Sequence, residues 1–368
     1  MENYNAMKIM IDFGHPAHVH YFRHFIAEMQ HKGHTFFIIA RDKEVSLQLL
    51  QKYKLPYYNR GKGSKGLLGK IIYLIKTDFV ILFKALSYKP DLYISFGSPY
   101  LAHVSRITFK PNIALADTDI AQLSIWSFVP FSDVILTPLV FKKQMGKRHL
   151  FFKGFMELSY LHPEYFKPDK QIMHELCPDG FREYIFFRFV SFSANHDMGQ
   201  IGFDKESKIS IIKALAKDYQ ILISSETALP AELEPYRLKI SPEKIHHVLY
   251  FTRLYIGEGA TMASECAMLG TPAIYVNSIT VGTLEAQVKY GLLFSFRNTQ
   301  GVLETARELL AMKNYKSIFQ ERRKKLLAEN ISLTPFLVWF VENYPDSVKQ
   351  LKTNAEIQNR FIKLYNDN

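Results

Sequence analysis

Short continuous apolar runs alternate along the chain with longer segments of helical periodicity. The runs form two groups: 8–13, 35–40, 91–95, 112–116 and 133–137, and then 183–188, 219–224, 254–256 and 273–276. Runs of this length without polar alternation are typical of strands buried on both faces, as in a parallel sheet covered by its crossover helices. The pattern therefore predicts an α/β protein with two halves, each built on a parallel sheet.

The segments between the strands carry helix signals. The first predicted helix runs to about residue 32, where Gly33 follows as a stop signal, and further helices are predicted at 207–217, 244–251 and 335–344. A length of 368 residues also favours two domains over one core. We expect an N-terminal domain over 1–163, a C-terminal domain over 164–340, and a helical segment over 341–368 that packs back towards the N-terminal domain.

The segment 67–88 is strongly apolar but contains Lys70, Lys76, Asp78 and Lys84. At about 100° per residue these four fall within roughly a 200° arc, which leaves an opposite apolar face. A spanning helix would bury the charges, so that interpretation is disfavoured. Two interpretations remain open. One is a core helix of the first domain; the other is an interfacial helix, preceded by the basic residues Arg60, Lys62 and Lys65.

The composition, with 48% hydrophobic and 22% charged residues, describes a globular protein and excludes disordered and fibrous classes. Cys177 and Cys266 give neither a disulfide framework nor metal-ligand spacing, and the first residues do not resemble a secretory signal. We therefore expect a cytoplasmic protein, with peripheral binding to the inner face of the cytoplasmic membrane as an extension of that prediction.

The net charge of +11 is concentrated in the first part of the chain. Residues 1–150 carry 20 Lys and Arg against 10 Asp and Glu, whereas the remainder carries 26 against 25. This asymmetry predicts an anionic partner for the N-terminal domain. No nucleic-acid-binding motif is recognisable, so an anionic membrane surface or a phosphorylated acceptor is favoured over nucleic acid.

The most informative motif is the segment 256–276, which reads as strand, small-residue turn, helix and strand. A small-residue turn that opens a helix leaves backbone N–H groups free to bind phosphate. Gly259, Ala260 and Thr261 are therefore predicted to hold phosphate, and Glu265, about one turn further on, to accept hydrogen bonds from a ribose. In the alternative interpretation the glycines only form a tight turn and Glu265 is a solvated helix residue.

Three histidines, His15, His18 and His20, follow the first strand. Ligands of open α/β sheets bind at the carboxyl ends of strands, and histidine is the usual base near neutral pH. We predict His18 as the catalytic base. The alternative is that these histidines cap or pack the first helix.

Asp117 and Asp119 follow a later strand and are expected at the same sheet edge as His18. They are predicted to orient an acceptor hydroxyl or the base, and a helix N-cap is the competing role for Asp119.

In the second half, Arg188 and His196 are predicted to donate hydrogen bonds to phosphate oxygens. Arg188 could instead pair with a core carboxylate, and His196 could only hold its loop. Glu285 and Gln287, after the strand 273–276, are predicted to bind sugar hydroxyls, although solvated helix positions would explain them too.

Taken together, these motifs resemble a family of uncharacterised GT-B-like proteins, domain of unknown function 354, as far as about residue 340. The resemblance is carried by the segments 14–20, 96–99, 116–119, 194–197 and 257–265. It implies two Rossmann-like domains with parallel sheets that face each other across a cleft.

More distantly, the segments 17–19, 261–265 and 269–274 resemble the lipid-linked N-acetylglucosaminyltransferase of peptidoglycan synthesis. That resemblance implies a nucleotide-sugar donor in the second domain, with the glutamate on the ribose, and an acceptor in the first. Gly14, His15 and Pro16 stand where that enzyme has a run of glycines, which argues against a diphosphate-bearing acceptor.

The segments 194–196 and 259–261 also resemble the non-hydrolysing UDP-N-acetylglucosamine 2-epimerases. Those enzymes need carboxylates after the fourth strand, where this chain has Ser95 and Ser98. Epimerase chemistry is therefore the weaker interpretation.

We thus predict a metal-independent glycosyltransferase of the hexosyltransferase type. It would move a sugar from a nucleotide-diphosphate sugar to a cell-envelope or polysaccharide acceptor. The expected partners are the nucleotide sugar, a glycan or lipid-linked acceptor and an anionic membrane surface, with no further cofactor and no metal site. The alternatives are a nucleotide-sugar 2-epimerase-like enzyme and a non-catalytic nucleotide-sugar-binding protein.

Overall fold

The computed structural model describes residues 6–64, 66–120, 122–176, 182–191 and 202–363. The chain divides into two compact units. Unit 1 consists of Met1–Tyr160 together with Asn330–Lys363, and unit 2 contains Leu161–Glu329. Each unit is built on its own parallel sheet, which confirms the predicted pair of Rossmann-like domains.

The strands of unit 1 are β1 (Lys8–Phe13), β2 (Thr35–Ala40), β3 (Tyr57–Asn59), β4 (Leu92–Phe96), β5 (Asn112–Leu115), β6 (Val134–Pro138) and β7 (His149–Phe152). The described strands lie in the order β3-β2-β1-β4-β5-β6-β7, and neighbouring strands are parallel. The helices between them are α1 (Pro16–His31), α2 (Ser46–Lys52), α3 (Leu67–Tyr88), α4 (Pro99–Thr108) and α5 (Gln122–Phe128). The order places the ends of β1 and β4 side by side in the middle of the sheet.

Unit 2 contains the strands β8 (Tyr184–Phe189), β9 (Gln220–Ser225), β10 (Leu254–Gly257), β11 (Ala273–Val276) and β12 (Leu293–Phe296). They lie in the order β12-β11-β10-β8-β9, again with parallel neighbours. The helices are α6 (Ile172–Leu176), α7 (Lys205–Leu215), α8 (Ile245–Phe251), α9 (Ala260–Leu269), α10 (Gly282–Lys289), α11 (Val302–Ala311) and α12 (Tyr315–Glu329). Short 3₁₀ turns occur in both units, at Val129–Phe131, Met156–Ser159, Glu234–Tyr236, Pro242–Lys244 and Ala355–Phe361.

The apolar runs that predicted strands are strands in the structure, and the bounds of β1, β2 and β11 coincide with the prediction. Gly33 follows α1 with a φ of 94°, a backbone conformation that glycine adopts without strain. The pattern did not predict β3, β7 and β12, which lie at sheet edges. These three strands are short and include polar residues, so their sequences lack the continuous apolar signal of the central strands, whereas the fourth edge strand, β9, has six residues and was predicted.

The chain returns to unit 1 through α13 (Leu333–Glu342) and α14 (Asp346–Thr353). Helix α13 is apolar on most of its surface, and it packs against α1. Leu337, Phe340 and Val341 meet Phe22 and Phe25 of α1 around a small apolar cavity. The segment that returns to unit 1 therefore begins at Asn330, whereas the sequence predicted residue 341. The chain first leaves unit 1 after Tyr160, whereas the sequence predicted residue 163.

Helix α3 has the predicted bounds and packs against α4. Its buried residues are Thr77, Ile81 and Ala85, so the contact with the rest of unit 1 is narrow. Within the part of the chain that the structure describes, no helix is both long enough and apolar enough to cross a bilayer.

Candidate functional site

In unit 2, two residues separate the start of α9 from the end of β10, and α10 follows the neighbouring strand β11 after a short loop. The N-cap residues are Gly259 and Val281, and neither side chain makes a capping hydrogen bond. The positive ends of the two helix dipoles therefore lie at one sheet edge, and at α9 the cap residue leaves the first backbone N–H groups to other partners. Ala260 and Thr261 are half-buried at the start of α9, so solvent reaches this edge.

Packing within unit 2 also explains why the residues before α9 are glycines. A Cβ atom on Gly257 would lie 2.3 Å from the hydroxyl of the buried Tyr255 and 3.0 Å from the Cβ of Arg188. A Cβ on Gly259 would lie 3.3 Å from a methyl group of Val190. The missing side chains let β8 approach the start of α9, as the tight-turn interpretation expects, and the phosphate interpretation stays a prediction.

Arg188 stands beside this turn at the end of β8. Its guanidinium forms an ion pair with Glu226 and donates a hydrogen bond to the hydroxyl of Ser224 at 2.7 Å. Arg188 thus pairs with a carboxylate, but Glu226 is an exposed residue and not the core carboxylate considered from the sequence. The predicted partner His196 lies outside the described residues.

Glu265 is buried, and its Oε1 lies 3.0 Å from Nε2 of the buried His246 on α8. Glu265 is therefore not a solvated helix residue, and its carboxylate is bound within unit 2. The ribose role remains a prediction, since it needs an oxygen of Glu265 to face the ligand as well.

Helix α10 is joined to α9 by Gln287, whose Nε2 donates to the hydroxyl of Ser264 at 2.6 Å. Gln287 is fully buried, and its Oε1 has no hydrogen-bond partner in the described part of the protein. Glu285 is half-buried in the first turn of α10. Of the two predicted sugar-binding residues, Glu285 is thus the more accessible, and Gln287 primarily joins two helices.

Glu258, between the two glycines, was not predicted from the sequence. It is buried, and its carboxylate accepts hydrogen bonds from the backbone N–H groups of Phe203, at 2.8 Å, and Val190, at 3.0 Å. Burial raises the pKa of Glu258, while Lys208 at 3.5 Å lowers it. This carboxylate fixes the segment after β8 against the start of α9.

In unit 1, the loop after β1 leads into α1 through the predicted histidines. His15 is the N-cap residue of α1, and its Nδ1 accepts a hydrogen bond from the N–H of Ala17 at 3.2 Å. His20 is buried against Tyr53 and Tyr160. These two histidines cap and pack the helix, as the alternative interpretation stated.

His18 lies differently, half-buried beside Phe96 at the end of β4, with the ring centroids 4.8 Å apart. Its Nδ1 accepts a hydrogen bond from the N–H of Gly14 at 3.2 Å. Burial holds the pKa of His18 well below its ordinary value, and the positive charges of His15, Lys43 and Arg60 lower it further. Because Nδ1 is an acceptor and the ring is neutral, the proton resides on Nε2. This geometry suits a hydrogen-bond donor better than the predicted base.

Asp117 lies after β5, and its carboxyl group accepts hydrogen bonds from the hydroxyl groups of Thr118, at 2.9 Å, and Tyr21. Tyr21 in turn stacks on His18, with centroids 6.2 Å apart. Burial, with a smaller contribution from the charge of Asp119, raises the pKa of Asp117 to about 6. The structure thus brings His18 and Asp117 together through Tyr21, a residue that the sequence did not single out.

Asp119 is buried, and its Oδ2 accepts a hydrogen bond from the N–H of Lys142 at 3.4 Å. It holds the loop after β6, and the helix N-cap role considered from the sequence stays a prediction. Its contribution to the site is electrostatic, through Asp117.

A buried ionic network below the loop after β1 was also not predicted from the sequence. Asp12 in β1 accepts hydrogen bonds from Arg60 Nε at 2.9 Å and from the hydroxyl of Ser98 at 2.6 Å. Arg60 also donates to the Tyr73 hydroxyl at 2.7 Å and lies over the ring of Tyr100. The one signal in the sequence is a charged residue, Asp12, inside an apolar strand. The network joins β1, α3 and α4 around the base of the segment 14–20, which we call the histidine loop.

Among the described residues, no group of three or more His, Cys, Asp or Glu side chains is arranged to hold a metal ion.

Comparison with known proteins identifies relatives of the whole chain. The profile of the family described as "Protein of unknown function (DUF354)" matches residues 7–331. An uncharacterised protein of Methanocaldococcus jannaschii is 24% identical over 283 residues, which cover 73% of this chain and 81% of that protein.

Several solved structures share the fold. The S. aureus MnaA–UDP co-structure has a TM-score of 0.69 at 11% identity and covers 93% of this chain and 98% of that one. The UDP-GlcNAc 2-epimerase from Neisseria meningitidis bound to UDP-GlcNAc has a TM-score of 0.65 at 13% identity, with coverage of 95% and 100%. The glycosyltransferase SsfS6 from Streptomyces sp. SF2575 has a TM-score of 0.57 at 11% identity, with coverage of 92% and 100%. At these identities the similarity shows the GT-B fold.

Proposed function

The chain belongs to the DUF354 family, and from the geometry of its two sheet edges we propose that it is a glycosyltransferase that uses a nucleotide-diphosphate sugar. The acceptor is a glycan or a lipid-linked saccharide of the cell envelope. The observation that carries the proposal is the start of α9 at the edge of the unit 2 sheet, where the N-cap residue Gly259 has no side chain and the half-buried Ala260 and Thr261 follow. Solved proteins of this fold that bind UDP or UDP-GlcNAc support the choice of ligand class.

On the donor side, the diphosphate lies against the N–H groups of Gly259, Ala260 and Thr261. The helix dipole and the donated hydrogen bonds stabilise negative charge there. Arg188 lies beside the turn and adds positive charge once it turns from Glu226 towards the ligand. Because the leaving diphosphate gains charge as the glycosidic bond breaks, these groups act most strongly in the transition state.

Two further donor contacts are proposed. Glu265 accepts a hydrogen bond from a ribose hydroxyl while His246 holds its other side. Glu285, at the start of α10, binds a hydroxyl of the sugar, and Gln287 fixes α10 to α9 behind it. These positions lie within about one and a half helix turns of the two helix N-termini.

On the acceptor side, Asp117 receives the proton of the acceptor hydroxyl and His18 donates a hydrogen bond from Nε2. A carboxyl group with a pKa of about 6 is largely ionised at neutral pH and still basic enough to accept a proton. The acceptor oxygen forms the new bond to the anomeric carbon, the bond from that carbon to the diphosphate breaks, and the electron pair leaves with the nucleoside diphosphate. No further cofactor is needed for this step.

Calorimetry with UDP and other nucleoside diphosphates tests the donor site. We expect binding, and we expect Ala260→Asp to weaken it about tenfold or more, because a carboxylate at the start of α9 repels the diphosphate. The matched control is Ala231→Asp, at an exposed loop position of the same unit, which should bind like the parent. Equal affinity of Ala260→Asp and the parent, or no binding to any nucleotide, would overturn the proposal.

Transfer itself is measured with the bound nucleotide sugar and candidate acceptors in the presence of EDTA. Asp117→Asn should lower kcat by roughly 10²–10⁴-fold with little change in donor affinity, as expected for loss of a general base. If His18→Ala abolishes turnover while Asp117→Asn leaves it intact, the roles are reversed and His18 is the base.

A 2-epimerase-like activity is the second candidate, because several solved proteins of the same fold are UDP-GlcNAc 2-epimerases. It predicts exchange of a sugar proton in deuterated water without any acceptor, which proton NMR detects. Binding with neither transfer nor exchange would identify a nucleotide-sugar-binding protein.

A further inference from the structure

Most of the apolar side chains of α3 face solvent. Eight of them are between 45% and 79% exposed, namely Leu67, Leu68, Ile71, Ile72, Ile75, Phe79, Phe83 and Leu86. We call this set the α3 surface. Exposed apolar residues are common when scattered singly, but a contiguous set of this size on one helix marks an interaction site.

The eight residues form one stripe along the helix. At about 100° per residue they fall within roughly a 160° arc. On the same scale the buried residues Thr77, Ile81 and Ala85 fall within roughly an 80° arc that borders the stripe, and Ile81 and Ala85 pack with Leu101 and Val104 of α4. The α3 surface is therefore the outward face of a helix that is anchored from behind, and substitutions on it do not reach the core of unit 1.

The neighbouring helix α5 adds to the exposed apolar area. His103 of α4 contacts Asp78 of α3 at 2.8 Å and the backbone carbonyl of Ser127 at 3.2 Å, so one side chain ties the three helices together. Leu123 and Trp126 of α5 are 76% and 77% exposed. An exposed tryptophan beside an apolar helix face is typical of proteins that bind at the membrane–water interface.

The exposed charge around this surface is mainly positive. Residues 60–110 contain nine Lys and Arg against two Asp. Arg60, Arg106 and Lys110 are paired with carboxylates, and the remaining exposed lysines in the described part of this segment are Lys62, Lys70, Lys76 and Lys89. The one acidic residue of α3, Asp78, is paired with His103. Lys76 is exposed at the border of the stripe, and Lys84 is half-buried over the ring of Tyr58. A broad apolar stripe beside clustered positive charge is complementary to an anionic bilayer, whose acyl boundary takes the apolar side chains and whose headgroups meet the lysines.

The same charge argues against a second copy of this chain as the occupant. Two such surfaces placed face to face would bring two sets of exposed lysines together, and like charges at an interface are repulsive. We infer that the α3 surface docks this protein, as a peripheral protein, onto a bilayer that contains anionic lipid. Docking requires no nucleotide sugar, so it does not rest on the proposed enzymatic activity.

Sedimentation of the full-length protein with vesicles tests the inference. We expect binding to phosphatidylcholine vesicles that contain phosphatidylglycerol at low salt, and at least tenfold weaker binding to pure phosphatidylcholine or at high salt. The double variant Ile72→Asp/Phe79→Asp should weaken binding to the anionic vesicles at least tenfold. Val288→Asp is the matched control at a 41% exposed apolar position in unit 2, and it should bind like the parent.

A second pair of variants isolates the charge. Lys76→Glu/Lys84→Glu should weaken binding to anionic vesicles, whereas Lys313→Glu/Lys316→Glu, with the same change of charge in unit 2, should have a smaller effect. Circular dichroism verifies that each variant is folded. Absence of binding by the folded parent at low salt would overturn the inference. So would sedimentation velocity that shows a parent dimer dissolved by Ile72→Asp/Phe79→Asp, because the surface would then be a subunit interface.

Discussion

At the scale of residues, the histidine loop shows how neighbours determine the chemistry of a side chain. His15, His18 and His20 lie within six residues, yet one caps a helix, one packs in the core and one faces the sheet edge. The N–H of Gly14 occupies Nδ1 of His18, and the carboxyl group of Asp117 lies behind Tyr21 with a raised pKa. Environments that lower the pKa of a histidine and raise that of a nearby carboxyl group are typical of acid–base sites.

The raised pKa of Asp117 makes a prediction about stability. Because the folded pKa of about 6 lies above the ordinary value of 3.8, the folded protein holds this proton more tightly than the unfolded chain. Ionisation therefore lowers stability as pH rises between these two values. Asp117→Asn should stabilise the protein at pH 7, with a gain that shrinks towards pH 4. Urea unfolding at several pH values measures the gain, and a difference that does not vary with pH would contradict the raised pKa.

At the scale of elements, His103 of α4 links α3 to α5 by contacts with Asp78 and with the Ser127 carbonyl. Both ring nitrogens face acceptors, the Asp78 carboxylate and the Ser127 carbonyl, which favours the doubly protonated ring. The pKa of His103 is accordingly raised, chiefly by the hydrogen bond with Asp78. A helix with a narrow buried face such as α3 depends on a contact of this kind for its position.

This contact should weaken at high pH. Since the folded pKa of His103 lies above its ordinary value of 6.5, its stabilising contribution is complete below that value and is lost as pH rises through the folded pKa. His103→Gln should therefore cost about 1–2 kcal/mol at pH 6 and less at pH 9. Thermal unfolding measures both. The effects of His103→Gln and Asp78→Asn should not add, and additive effects would show that the two residues act independently.

At the scale of the whole molecule, the two units are not consecutive pieces of chain. Unit 1 is completed by Asn330–Lys363, and α13 covers its core with Leu333, Phe336, Leu337 and Phe340, all buried. The last segment of the sequence thus folds with the first. Helix α13 is apolar on most sides, and it is buried because it packs against the rest of unit 1.

Deletion of the C-terminal segment that begins at Asn330 is expected to disrupt unit 1, including parts of it that are distant in the sequence. A chain that ends at Glu329 leaves the faces of Phe22 and Phe25 uncovered, and each large apolar side chain so exposed costs about 1.5–3 kcal/mol. We expect this truncated chain to aggregate or to lose cooperative unfolding of unit 1. A chain that ends at Lys363 is the control. Native-like gel filtration and melting of the shorter chain would refute the assignment of α13 to the core of unit 1.

Much of the fold was predictable because a buried strand leaves a direct mark in the sequence. Central strands such as β1 and β10 are covered on both faces, so their residues are almost all apolar and their ends are clear. Edge strands such as β7 and β12 have one neighbour and mixed composition, and their pairing depends on residues distant in the chain. Periodicity also gave α3 its bounds, but it could not tell a core helix from an exposed one.

The candidate site was predictable in its location more than in its contacts. Strand ends and small-residue turns identified the segments after β1, β5 and β10, because parallel strands bring their carboxyl ends to one edge. The partners of Arg188 and Glu265, namely Glu226 and His246, come from segments that no local motif connects to them. The same holds for Tyr21 beside Asp117.

By itself, the sequence determined the two parallel sheets, the glycine-containing turn before α9 and the unequal distribution of charge, since each follows from residues adjacent in the chain. Only the tertiary structure decided which ring nitrogen of His18 is occupied, which carboxyl group has a raised pKa and which face of α3 meets solvent. Those properties depend on desolvation and on contacts between distant segments, and burial and hydrogen bonding exist only once the chain has packed.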